Sequence, residues 1–159
     1  MRALSAAALL AALLGCGYTQ GSLIAEGNRR VAVPIFDNDT FYREMEFELT
    51  RTVVAEIERR PGVQVVREAD ADVILKGRIT DLRQQVLSED ERDRVRESTA
   101  TITVTVDLVD PHTGKVRKHF EVKDVSPFAA ARGETLVTAQ RESFLELARR
   151  IVWQLEEPF

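Results

Sequence analysis

The sequence predicts an α+β fold, a two-layer sandwich in which a mixed, mostly antiparallel sheet carries two long helices on one face. Ala100, Ile102, Val104, Val106 and Leu108 alternate with Thr99, Thr101, Thr103, Thr105 and Asp107, the period-two signature of a strand with one buried and one polar face. Met45, Leu49, Val53 and Ile57 recur every four residues. Leu136, Phe144, Leu147, Ile151 and Leu155 mark a second apolar stripe at helical spacing. Short apolar runs bounded by turn residues fill the intervals, so the predicted order is β-α-β-β-β-β-α.

Each element follows from local chemistry. The run from Arg30 to Phe36 reads as a strand, and Pro34, lacking an N–H, places it at an edge or ends it. Asp37 to Thr40 reads as a turn in which Asp39 or Thr40 caps the next helix. That helix is expected from Phe41 or Tyr42 to Glu58 or Arg59, with Phe47 and Val54 widening its buried stripe. Arg59-Arg60-Pro61-Gly62 ends it with two cations and two helix breakers. Val63 to Val66 is a short strand. A strand, a helix and a second strand in this order suggest a crossover between parallel neighbours.

Val73 to Leu82 is a strand with Val73, Leu75, Gly77 and Ile79 on one side and Lys76, Arg78 and Thr80 on the other. The threonine-bearing strand runs from about Ser98 to Asp110, and the charged segment Ser88–Glu97 between the two reads as the tip of a long hairpin. Asp110 to Lys115 is a tight turn with Gly114 where positive φ is needed. Val116 to Val125 returns as a strand with Val116, Lys118, Phe120 and Val122 on one face. Ser126 to Gly133 reads as a loop and Glu134 to Glu156 as the second helix. Both helices are expected on the face lined by Ile102, Val104 and Val106.

The N-terminus has a different character. Arg2 is followed by an apolar run from Ala6 to Leu14, too short for the roughly 20 residues that span a bilayer. Its length suits the apolar region of a secretory signal. Leu13-Leu14-Gly15-Cys16 resembles the bacterial lipobox, which implies cleavage after Gly15 and a diacylglyceryl group on the Cys16 thiol. Cys16 is the sole cysteine of the chain, so no internal disulfide can form, and acylation removes a thiol that would otherwise stand unpaired in an oxidising compartment. Two or more acyl chains give stable membrane anchoring. By analogy with enteric-type sorting, where Asp after the cysteine favours inner-membrane retention, Gly17 points to the outer membrane. The expected organisation is a removed signal over residues 1–15, a small and polar lipidated tether over 16–28, and a single domain over 29–159.

The formal charge of the whole chain is −4, and loss of Arg2 makes the processed chain more acidic still. Such a domain is a poor general binder of nucleic acid or anionic lipid, with local basic patches left open. His112 in a turn and His119 on a polar strand face form no metal-ligand spacing with a thiol or carboxylate. No serine has a nucleophile-elbow context, and Gly114 and Gly133 stand alone rather than in a phosphate-binding loop. The carboxylates are interspersed with arginines in the manner of a solvated surface. No catalytic residue, metal or cofactor is expected beyond the covalent lipid on Cys16. Arg92, Arg94 and Arg96 alternate along the hairpin, with Arg78 and Arg83 on the partner strand. Clustered guanidinium groups clamp phosphates; the same charges also protect exposed strands from edge pairing.

Several segments together resemble the LptE family of lipopolysaccharide-assembly lipoproteins. They are Gly15-Cys16-Gly17-Tyr18, the Val31–Thr40 strand with its Pro-containing exit, Phe47-Glu48-Leu49-Thr50 in the first helix, and the Ala69–Ile79 segment. The element order is similar over nearly the whole processed chain. The resemblance implies an outer-membrane lipoprotein on the periplasmic side, acting without bond chemistry. It would be the plug and assembly partner of the LptD β-barrel in placing lipopolysaccharide in the outer leaflet. The sheet and hairpin would engage the barrel, and Arg78, Arg83, Arg92, Arg94 and Arg96 are the candidate contacts for lipid A phosphates. The strand, turn and Ala-Asp…Gly features also occur in periplasmic lipoproteins that regulate cell-wall synthases or build secretion pores, which leaves that as the alternative. A structural outer-membrane lipoprotein without a dedicated client is a third reading.

Overall fold

The computed structural model describes residues 28–89, 95–129 and 132–156. It contains β1 (Arg30–Ala32), β2 (Asp37–Asn38), α1 (Met45–Glu58), β3 (Gln64–Val65), β4 (Val73–Glu89), β5 (Val95–Val109), β6 (Val116–Ala129) and α2 (Leu136–Glu156), with a 3-10 turn at Glu68–Asp70. The α+β sandwich expected from the sequence is the observed architecture. The sheet has six strands in the order β3-β1-β4-β5-β6, with β2 paired to β4 beside β1. β1 is parallel to β3 and β4, and β4, β5 and β6 form an antiparallel meander.

The apolar face of the sheet is covered by both helices. Leu49, Val53 and Ile57 from α1 and Phe144, Leu147, Ile151 and Leu155 from α2 share one core with Val73, Leu75, Ile79, Ile102, Val104, Val106 and Leu108. The helices run in the same direction. Arg141 of α2 meets Glu48 of α1 at 3.4 Å near their starts, and Arg60, just past α1, meets Glu156 at 3.2 Å near the end of α2.

Several boundaries differ from the expectation. The first strand ends at Ala32 and does not run to Phe36, because Pro34 has no N–H for a ladder. Phe36 turns inward instead, buried, with its N–H donating to Thr50 Oγ1 at 3.0 Å. The chain then rejoins β4: Asp37 and Asn38, expected as a turn, pair with Arg78 and Ile79. Neither Asp39 nor Thr40 caps α1. Asn38 Oδ1 accepts from the Thr40 N–H and hydroxyl, which closes a local turn. The helix begins only at Met45, after Glu44 in the left-handed region at φ 70°. Phe47 is 48% exposed and does not widen the core stripe; Thr50 and Glu56 occupy buried positions there.

The meander is longer than its sequence suggests. β4 continues past Leu82 to Glu89, and β5 begins at Val95, so five of the ten residues expected as a tip, Ser88, Glu89, Val95, Arg96 and Glu97, are strand, and the other five lie outside the described residues. β6 continues to Ala129, where a loop had been expected, because Pro127, Phe128 and Ala129 pair with Thr99, Ser98 and Glu97 of the extended β5. α2 begins at Leu136 and not Glu134, since Glu134 folds back to accept the Ala129 N–H at 2.7 Å. Val116 is exposed rather than on the buried face, because a register shift at Leu108/Val109 interrupts the alternation there.

Candidate functional site: the open sheet face and hairpin

Among the described residues, the face of the sheet opposite the helices is bare over much of its length. On β5, Thr99, Thr101, Thr103 and Thr105 point outward and are half-buried, while the residues between them are buried beneath the helices. Lys76 faces Asp107, Arg78 faces Thr105, Asp81 faces Thr103 and Arg83 faces Thr101 across the β4–β5 pairing. On the other side, His119, Glu121, Lys123 and Val125 face Asp107, Thr105, Thr103 and Thr101. The result is a row of β-branched hydroxyls between two rows of longer side chains. It fits a flat partner better than a small molecule. Among the described residues this face is capped at its lower end, where Ala71 from the segment around the 3-10 turn packs with Ala32, Ile74 and Val109, joined by Val66.

At the upper end β4 runs out from under the helix layer, while Ala100 and Phe128 on the neighbouring strands stay buried against Leu136 and Ala139 of α2. From Arg83 to Leu87 every residue of β4 is exposed, including Val86 at 43% and Leu87 at 55%. Seventeen residues of β4 span about 55 Å at strand rise, so Glu89 lies far from residue 28, which enters the sheet beside the start of β4.

The candidate arginines do not all gather. Arg78 and Arg83 share the open face, but each already holds carboxylates. Arg78 contacts Asp37 at 2.9 Å and Asp39 at 3.2 Å, and Arg83 contacts Asp81 at 2.7 Å. Arg96 is exposed and has no ion pair among the described residues. It falls at a register shift of the β4–β5 ladder, unpaired between Glu97 and Val95. Arg92, Arg94 and Cys16 lie outside the described residues. Asp37, Asp39 and Asp81 are the residues that sequence reasoning missed. The signal was present in the short spacing of Asp81 and Arg83, but the approach of β2 to β4 was not readable from spacing.

The other charged contacts on the described surface are structural. Asp110 accepts from the His112 and Thr113 N–H groups at 2.9 and 3.0 Å and pairs with Arg117, which locks the β5–β6 turn and holds its carboxyl well below the usual range. Arg30 grips Asp72 and lowers its carboxyl likewise. His119 Nδ1 stands 2.6 Å from Asp107 in an exposed position. No cluster of three metal-ligating side chains occurs among the described residues. No described helix is long and apolar enough to cross a membrane.

Residues 29–156 match a family model described as LptE, lipopolysaccharide-assembly. No curated protein matches the chain. Among solved structures, rare lipoprotein B from Shewanella oneidensis superposes with a TM-score of 0.56 at 19% identity, covering 79% of this chain and 92% of that one. A lipoprotein B from Nitrosomonas europaea gives 0.55 at 17% identity over 81% and 83%. The PelC dodecamer from Paraburkholderia phytofirmans gives 0.57 at 13% identity over 87% and 95%. At these identities the structural matches establish a shared fold.

Proposed function

We propose a function from one premise: the chain belongs to the LptE lipopolysaccharide-assembly family. Its association is with the lipopolysaccharide-transport machinery, as a membrane-associated lipoprotein. Within that machinery it is an outer-membrane lipoprotein, held on the periplasmic side by acyl chains on Cys16, that works by binding and catalyses no reaction. Its partner is an LptD-type β-barrel, which it plugs and helps to assemble so that lipopolysaccharide reaches the outer leaflet.

The observation that carries this reading is the bare threonine face of a meander whose β4 strand runs out from under the helix layer. A polar, β-rich surface suits the inner wall of a barrel, which is lined by alternating polar side chains. Arg78, Arg83, Arg92, Arg94 and Arg96 are the proposed contacts for lipid A phosphates. Arg78 and Arg83 would have to share their guanidinium groups with Asp37, Asp39 and Asp81, so the hairpin arginines carry more of the recognition.

Detergent extraction and purification of the lipidated chain tests the partnership. One-to-one recovery with a large outer-membrane barrel is expected. Recovery with a cell-wall synthase alone, or as a homo-oligomeric ring, would contradict it and favour the synthase-regulator or secretion-pore alternative. Replacing Arg92, Arg94 and Arg96 together with Ala should weaken lipopolysaccharide binding by the purified chain; unchanged binding would leave them as surface charge.

A further inference from the structure

The end of the domain remote from the hairpin carries features that barrel docking does not use. Asn28 is buried, and its side-chain amide donates to the Leu155 carbonyl at 3.5 Å. The chain before residue 28 therefore joins the domain at the last turn of α2. Cys16 stands twelve positions earlier, a reach of roughly 40 Å at full extension. Trp153 precedes Leu155 by two residues, about 3 Å along the helix axis. It is the only tryptophan in the chain and is 54% exposed.

Trp153 borders an open hollow of about 400 Å³ whose other walls are Glu56, Arg60, Arg149 and Arg150. Glu56 is occupied by Arg59 and Arg60, at 3.1 and 3.5 Å. Arg150 is held by Asp124 and Glu146. Among the described residues Arg149 pairs with Glu146 alone, at 3.7 Å and shared with Arg150. Such an exposed pair is weak and readily exchanged. An indole beside a loosely held guanidinium on a flexible stem matches the chemistry of the membrane–water interface. There the ring sits at headgroup level and arginine reaches phosphate.

We propose that Trp153 and Arg149 form a contact surface for the phospholipid headgroups of the leaflet that holds the acylated Cys16. This rests on the lipid-anchor reading, which supplies the tether. The surface holds the helix C-termini at the leaflet that carries the anchor, beside the barrel embedded in the same membrane.

The processed chain, Cys16 to Phe159, is coupled through its sole cysteine to a maleimide-bearing phospholipid. The vesicles contain phosphatidylethanolamine and phosphatidylglycerol, with or without phospholipid brominated along its acyl chains. Relative to the same chain coupled to a water-soluble maleimide, Trp153 emission should shift to the blue, and brominated lipid should quench it. Arg149→Glu should reduce both effects. Emission that is unshifted and unquenched on vesicles would overturn the proposal. So would a blue shift that appears only when a purified outer-membrane barrel is added, which would make the surface a protein contact. The mass of the chain recovered from bacterial membranes reports on acylation of Cys16 separately. An unacylated Cys16 would sink the anchor reading, while the chemically coupled chain still judges the surface.

Discussion

Gly77 illustrates how a single position joins β4 to the loop between β1 and β2. A Cβ built there would lie 2.2 Å from the Phe36 ring, with two more ring atoms within 2.5 Å. Gly77→Ala should therefore cost about 1–3 kcal/mol of stability by overpacking, read by urea unfolding, and Phe36→Leu in the same chain should recover part of it. The sequence placed Gly77 on the buried face but gave no sign of its neighbour, since Phe36 arrives from a segment 41 residues away. Thr50 presents a related case. Its hydroxyl accepts the buried Phe36 N–H, so Thr50→Val should cost about 1–3 kcal/mol by leaving that donor unpaired. Acid stability is decided at the same scale. Arg30 lowers the carboxyl of Asp72, Arg117 lowers that of Asp110 and Arg132 lowers that of Glu134. A lowered carboxyl stabilises the fold fully above the unfolded-state value, about 4, and the contribution is lost as pH falls through the lower folded-state values. Melting temperature should thus drop as pH is lowered below about 4, and Asp110→Asn should flatten the drop.

Among the elements, α2 was the most legible and α1 the least. The stripe of Phe144, Leu147, Ile151 and Leu155 is fully buried, as its spacing requires. In α1 the same rule found Met45, Leu49, Val53 and Ile57 but wrongly admitted Phe47, because hydrophobicity alone does not say which side of a stripe meets the sheet. Phe144→Ala should cost about 3–5 kcal/mol, while Phe47→Ala should change stability by less than about 0.5 kcal/mol; chemical denaturation separates the two. The β4–β5–β6 meander was legible in its alternating middle, where burial differs between faces. Its extensions were not, because β4 beyond Leu82 is exposed on both sides and backbone pairing there leaves no hydrophobic pattern. The split of the first strand was visible only as Pro34, which marks a break without saying that Asp37 and Asn38 return to the sheet.

At the scale of the whole molecule, residue 28 enters at one end of the sheet and the Glu89–Val95 pair of the hairpin lies at the other. The helices close one face and the threonine row is open on the other. That division of surfaces follows from the sequence pattern. The site arginines show its limit: neutralisation of Arg78 and Arg83 by Asp37, Asp39 and Asp81 depends on strand neighbours that spacing does not reveal. If the open face docks on a barrel wall, Thr99→Glu, whose cross-strand neighbours Gln85 and Pro127 carry no charge, buries a carboxylate without an opposite countercharge. Recovery of the barrel should then fall by at least about tenfold, with a melting temperature close to that of the unaltered chain. The most direct measurement is a photo-activated cross-linking side chain introduced at Thr103 in the lipidated protein in its own membrane. A cross-link to a large outer-membrane β-barrel is predicted there, and none from the same side chain at Arg51 on the outer surface of α1. Cross-links from Thr103 to a second copy of the chain, or to a cell-wall synthase, would contradict the account.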